Sequence, residues 1–399
     1  MPDLYQLMKN GYLEDTPESC RERRRRRILL RAQHTATTAA AIPHVNADSR
    51  GKAIKPENEL QEPMRSQLTR GLPVDVPDFG TMSVAGRSRD MEDAIAVKTS
   101  LCAPTFNGKK PVHFFAVYDG HAGAQVAALC REKMHVVLEG ELTKWDHTGN
   151  HQSGAGGSSS SGKQAAEGEE EWKEKWKAVL KRTFLKLDQE ALSTCGCGSI
   201  GWRCGCPSKN LVVGGSTAVV AVVTDEHIIV ANCGDSRAVL CRGGKPIALS
   251  VDQKPDRPDE HERILAAGGR VVYLDVPRVE GILAMSRAMG DRYLKPIVIS
   301  EPEICFIKRE PDDECLILAS DGLWDVVNND LACLLASECL LQENTSDFIN
   351  PGPLVEDDVG GPLFSSQSVL AAALLTRLAL ARKSYDNISV IVVDLMRGG

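Results

Sequence analysis

Four acidic clusters in this 399-residue chain sit directly beside apolar runs: Met91-Glu92-Asp93, Asp119-Gly120-His121, Asp321-Gly322-Leu323-Trp324-Asp325 and Asp386-Asn387. Asp119 ends the run Val112 to Tyr118, which reads as a buried strand, so its charge emerges where a sheet opens to solvent. Gly120 lets backbone approach a ligand closely, although Asp-Gly is also an ordinary turn dipeptide. Oxygen ligands without a matching His/Cys set favour hard cations such as Mg²⁺ or Mn²⁺. Two such ions lower the pKa of a water held between them, and their charge offsets that of a transferring phosphoryl group. Carboxylates buried together without a cation would each cost several kcal/mol. Spacing alone leaves open whether the clusters share one site.

The elements that must position these residues begin near residue 80. Strands are predicted at 81–85, 94–99, 112–118, 218–223, 227–233, 237–241, 315–319 and 388–395, and helices at 122–139, 172–192, 258–267, 328–340 and 367–383. Short turns between strands, as at 227–233 and 237–241, predict antiparallel pairing. Helices in separate blocks then give an α+β architecture rather than a doubly wound one. The expected domain is 80–397, with flexible inserts near 149–171 (Gly/Ser-rich, then acidic) and 342–366 (polar, with Pro351, Pro353 and Pro362). Residues 1–79, with the basic run Arg21 to Arg27, read as a mostly disordered extension. The run suits nuclear import or an acidic surface, and equally a solvated tail.

Bulk composition narrows the class. Hydrophobic content of 42% and charged content of 25% are those of a globular protein. A net charge of −7 argues against non-specific nucleic-acid binding. No apolar stretch approaches the roughly 20 residues of a membrane span, and the N-terminus carries no secretory signal. Thirteen cysteines, an odd number scattered through apolar runs, suit a reduced nuclear or cytoplasmic protein better than a disulfide scaffold.

The ordered set Met91-Glu92-Asp93, Asp119-Gly120-His121, Gly234-Asp235-Ser236-Arg237, Asp321 to Asp325 and Asp386-Asn387 resembles the metal-dependent protein phosphatase 2C family over about residues 80–397. The segments Leu283 to Arg287 and Gly290 to Pro296 look like the plant branch that restrains abscisic acid signalling. The resemblance implies two antiparallel sheets packed as a sandwich and flanked by helices. It implies that Asp119 bridges two ions, that the Gly120 carbonyl, Asp321 and Asp386 ligate them, and that Glu92 and Asp93 hold metal waters or ligate directly. Asp235 and Asp325 match positions of a weaker third ion. His121 would protonate the leaving serine or threonine oxygen. Activated SNF1-related protein kinases would be the substrates.

Each role has a plainer counterpart: Asp235 as a turn organiser, Asp325 as a helix cap, Trp324 and His113 as core, His121 as a surface histidine. Three positions depart from the family. Where it places a phosphate-gripping Arg, this chain has Ser88, flanked by Arg87 and Arg89; either could bind the phosphate instead, although in a strand that one-residue shift would reverse the face. Ala122 replaces a Gly at a backbone position that a positive φ would suit. Leu274 stands where relatives captured by hormone-bound receptors present a Trp, and it lacks the indole N–H, so receptor inhibition is expected to be weak. Cys195, Cys197, Cys204 and Cys206 form two C-x-C pairs able to hold zinc. Cys197 to Arg203 matches the C-x5-R of thiol phosphatases, but so does Cys20 to Arg26 in the basic extension. A phosphatase-like protein that restrains kinases by binding alone is the non-enzymatic alternative.

Overall fold

The computed structural model describes residues 76–101, 111–149, 161–195, 211–342 and 366–396. Fifteen strands fall within them. One five-stranded sheet has the order β1 (Phe79–Val84), β15 (Ile388–Asp394), β14 (Asp313–Ala319), β8 (Arg237–Arg242), β9 (Lys245–Ala248). The other runs β13 (Glu303–Lys308), β7 (His227–Cys233), β6 (Ala218–Val223), β3 (His113–Tyr118), β2 (Ala94–Lys98). All pairings in both are antiparallel. Five helices accompany them: α1 (Gln125–Gly149), α2 (Ser161–Ser193), α3 (Pro258–Ala266), α5 (Asn329–Leu341) and α6 (Gln367–Ala381), besides the single turn α4 (Asp321–Trp324).

Side-chain alternation assigns the layers. Phe115 and Val117 of β3 point inward to meet Val219, Leu240, Leu316, Leu318, Ile391 and Val393 between the sheets. Phe114, Ala116 and Tyr118 point outward into Leu129, Met134, Trp176 and Phe184 of α1 and α2. On the far side Ile317, Val390 and Val392 pack under Ala336, Leu375 and Ala379 of α5 and α6. Strands covered on both faces read as unbroken apolar runs, and each fully buried large side chain stabilises the fold by about 1.5–3 kcal/mol.

Several of the sequence expectations need correction. The acidic half of the insert 149–171 is helical, because α2 begins at Ser161. Its Glu169–Lys173 and Glu171–Lys175 pairs, one turn apart, favour helix. The edge strand β13 was not foreseen: its residues are half-buried on both faces, which blurs the alternation. Cys241 of β8 and Cys333 of α5 are joined by a disulfide, with Cα atoms 5.5 Å apart, against the expectation of a reduced set of cysteines. Residues 1–75 and 343–365 lie outside the described residues. Among those described, no helix is long and apolar enough to cross a membrane.

Candidate active site

The acidic segments are stitched together by one loop, 85–93, which follows β1. Ser88 N–H donates to Ala85 O (2.9 Å), so a turn and not a strand leads to Glu92 and Asp93. Asn387 Nδ2 donates to Ala85 O (3.1 Å) and Asp90 O (3.0 Å), while its Oδ1 accepts from Glu92 N–H at 2.7 Å. Ser320 Oγ donates to Asp93 Oδ2 at 2.8 Å, beside Asp321. Glu92 Oε1 accepts from Gly123 N–H at 2.9 Å. Gly120 must be glycine: a Cβ there would lie 2.4 Å from Glu92 O. Gly322 is pressed as closely on Asn387 O, at 1.9 Å from an added Cβ. Through these contacts Glu92, Asp93, Gly120, Asp321 and Asp386 come from four distant stretches to one end of the sandwich.

Asp119 leaves β3 buried at 3% exposure. Its N–H donates to Thr217 Oγ1 (3.0 Å), and its carbonyl accepts from Thr217 N–H (2.9 Å). Thr217 Oγ1 also meets Ser236 Oγ at 2.7 Å, which ties Asp119 to the Asp235 turn between β7 and β8. Asp235 is buried in this turn and paired with Lys254 at 2.6 Å. Asp325 does not cap α5; Asn328 does, accepting from Leu331 N–H at 3.0 Å. Asp325 N–H instead donates to Asp321 O (2.9 Å), which puts the two carboxylates one turn apart on α4. Trp324 is core, its Nε1–H donating to Ala319 O at 3.0 Å.

Every side chain expected here as a metal ligand offers oxygen, and Asp119, Asp235 and Asp321 are buried. That donor chemistry fits hard divalent cations, which retain water and need few carboxylates per ion. The tightest acidic trio among the described residues lies elsewhere, at Asp259, Glu260 and Glu303, whose ligand oxygens fall within 4.8 Å of one another. Arg263 and Arg287 each reach Glu260 at 2.7 Å, and Arg257 forks onto Glu303, so that trio is an ion-pair network. The expected ligands form no trio as tight.

His121 belongs to a three-stranded sheet unforeseen in the sequence: β4 (Gly120–His121), β5 (Gly215–Ser216) and β12 (Met289–Gly290). Its Nε2–H donates to Asp291 Oδ1 and Oδ2 at 2.9 and 2.8 Å, with both residues buried. The plain surface-histidine alternative is thereby removed. Asp291 lies inside the segment Gly290 to Pro296, where a polar residue directly after Gly290 is the one local sign of its place beside His121.

The flanking arginines divide. Arg87 Nη1 donates to Leu380 O (3.0 Å) and Ser384 O (2.9 Å), and its guanidinium lies 5.4 Å from the Tyr385 ring centroid. Arg87 therefore braces the α6–β15 corner, while Arg89 is exposed. Ala122 adopts φ +55°, the left-handed conformation that favours glycine. Leu274 is exposed in the turn between β10 (Val271–Tyr273) and β11 (Pro277–Val279). Cys195 is buried, and Cys197, Cys204 and Cys206 lie outside the described residues. Burial pushes the Cys233 and Cys315 thiols up to about 12, which makes neither a nucleophile.

The sequence profile described as "Protein phosphatase 2C" matches residues 77–388. A probable protein phosphatase 2C 75 of Arabidopsis thaliana is 46% identical over 99% of both chains. A probable protein phosphatase 2C 68 of Oryza sativa is 45% identical, covering 82% of this chain and 81% of its own. Among solved structures, a serine-threonine phosphatase 2C from Toxoplasma gondii superposes with a TM-score of 0.59 at 22% identity, over 80% of this chain and 95% of its own.

Proposed function

The chain belongs to the protein phosphatase 2C family and is a protein serine/threonine phosphatase, and we propose that it works with two divalent ions, Mg²⁺ or Mn²⁺, held at the acidic end of the sandwich. The observation that carries this reading is the 85–93 loop, whose contacts to Gly123, Ser320 and Asn387 draw the separate carboxylates together. Asp119, the Gly120 carbonyl, Asp321 and Asp386 would hold the pair of ions, Glu92 and Asp93 their waters, and Asp235 and Asp325 a weaker third. When bound, such ions activate water near neutrality and offset phosphoryl charge. His121 delivers a proton to the departing serine or threonine oxygen. Arg89 takes the phosphate contact that Arg87, engaged at the α6–β15 corner, does not.

The substrates fitting this reading are activated SNF1-related protein kinases, which makes the enzyme a negative regulator of abscisic acid signalling in nucleus and cytoplasm. Leu274, exposed without an indole N–H, supports insensitivity to hormone-bound receptors. Phosphoserine-peptide hydrolysis tests the chemistry: it should cease with EDTA and return with Mg²⁺ or Mn²⁺. Survival in EDTA, or loss on thiol alkylation alone, would refute the metal route. Receptor plus abscisic acid should leave most activity intact; strong inhibition would remove the role given to Leu274.

A further inference from the structure

We propose that Asp291 is a positioning residue for His121, fixing the ring so that Nδ1, and not Nε2, faces the leaving oxygen. This rests on the general-acid reading of His121 given above. A carboxylate only accepts, so Nε2 carries the hydrogen shared between Asp291 Oδ1 and Oδ2. Nδ1 is buried and makes no hydrogen bond among the described residues. A proton bound for substrate can then leave from Nδ1 while the ring stays anchored through Nε2.

The surroundings are built around this contact. Gly215 pairs with His121 on one side and Gly290 on the other, which sets His121 and Asp291 across one short strand. A Cβ on Gly215 would lie 2.2 Å from Asp291 Oδ2, so only glycine leaves room for the carboxylate. Asp291 itself adopts φ +48° and ψ +51°, a left-handed conformation that a residue with a Cβ takes up only when its surroundings hold it there. The chain is held in it from behind. Buried Asp188 of α2 accepts from Gly290 N–H at 2.7 Å and pairs with Lys295 at 3.1 Å, while Lys295 also donates to Ala288 O.

In the step, the bond between phosphorus and the seryl oxygen breaks, and its electron pair stays on that oxygen. The Nδ1 proton passes to it, leaving a neutral ring whose Nε2–H is still donated to Asp291. Water supplies the hydroxyl that phosphorus gains, and the proton that this water gives up replaces the one lost from Nδ1. A leaving group that needs no proton should be indifferent to all of this.

The test compares a phosphoserine peptide with p-nitrophenyl phosphate, both with saturating Mn²⁺, for wild type, Asp291→Asn and His121→Gln. Asp291→Asn should lower kcat on the peptide roughly 10–100-fold with KM little changed, as loss of an orienting partner does. Loss on p-nitrophenyl phosphate should stay under about threefold, since its phenolate leaves unprotonated. The double variant should be no worse than His121→Gln, because the two act as a unit. Should Asp291→Asn fail to fold, Asp291→Glu reads the same substrate ratio. Equal losses on both substrates, or none, with a selective defect in His121→Gln, would overturn the role of Asp291 alone. If His121→Gln also lacks the selective defect, the general-acid reading falls and this inference with it.

Discussion

Two groups of carboxylates in this molecule look alike in composition and are held by different sets of contacts. Glu260, on α3, is buried and ringed by Arg263, Arg287 and Ser286. Burial alone would push its carboxyl up, but those hydrogen bonds outweigh it and hold it at about 2. In the strand-end group uncharged contacts are prominent, Ser320 to Asp93, Asn387 to the Glu92 amide and Thr217 to the Asp119 amide, beside the ion pair of Lys254 with Asp235. The first cluster is internally neutralised and fastens α3 to the segment before β13. In the second, hydroxyls and amides from separate elements draw the acidic segments together at the strand ends. Tightness of an acidic cluster does not by itself make a metal site, because arginines already neutralise the tightest trio among the described residues.

Substitutions should separate the two groups. Asp119→Ala or Asp321→Ala should lower peptide turnover on the order of a thousandfold, about 4 kcal/mol of transition-state stabilisation, with little change in thermal midpoint. Glu260→Gln should do the reverse, lowering stability by about 3 kcal/mol in denaturant unfolding, because it strips the anion from a buried ion network. Held at about 2 against an ordinary 4.5, Glu260 favours the folded state above pH 4.5, and that contribution disappears as pH falls from 4.5 toward 2. The wild type should lose stability across that window, and Glu260→Gln should flatten the loss. Arg89→Ala should raise KM for phosphopeptide about tenfold, equivalent to about 1.4 kcal/mol. Arg87→Ala should instead lower the unfolding midpoint and leave KM unchanged. Smallest of all, Ala122→Gly should add about 1 kcal/mol by relieving its left-handed backbone.

Legibility in the sequence followed the same division. Strands 218–223 and 227–233 were readable to the residue because both their faces are buried, and the helix starting at Pro258 because its ends are punctuated. Asp119 and Asp321 stood out because each ends such a strand. Interactions made across the fold left weaker traces. Nothing local distinguishes Arg87, which braces a corner about 300 residues away, from exposed Arg89. Asp291 meets His121 only once two glycine-rich strands pair, and neither strand is long enough to show a period. The helical start at Ser161 was masked by the Gly/Ser composition just before it.

The most direct measurement is calorimetric titration of Mn²⁺ into the chelator-treated full chain, for wild type, Asp119→Ala and Glu260→Gln. Saturable binding should appear in wild type and Glu260→Gln and collapse in Asp119→Ala, with phosphopeptide turnover following occupancy. Undiminished binding in Asp119→Ala together with its loss in Glu260→Gln would place the metal at the arginine-ringed cluster and contradict the account.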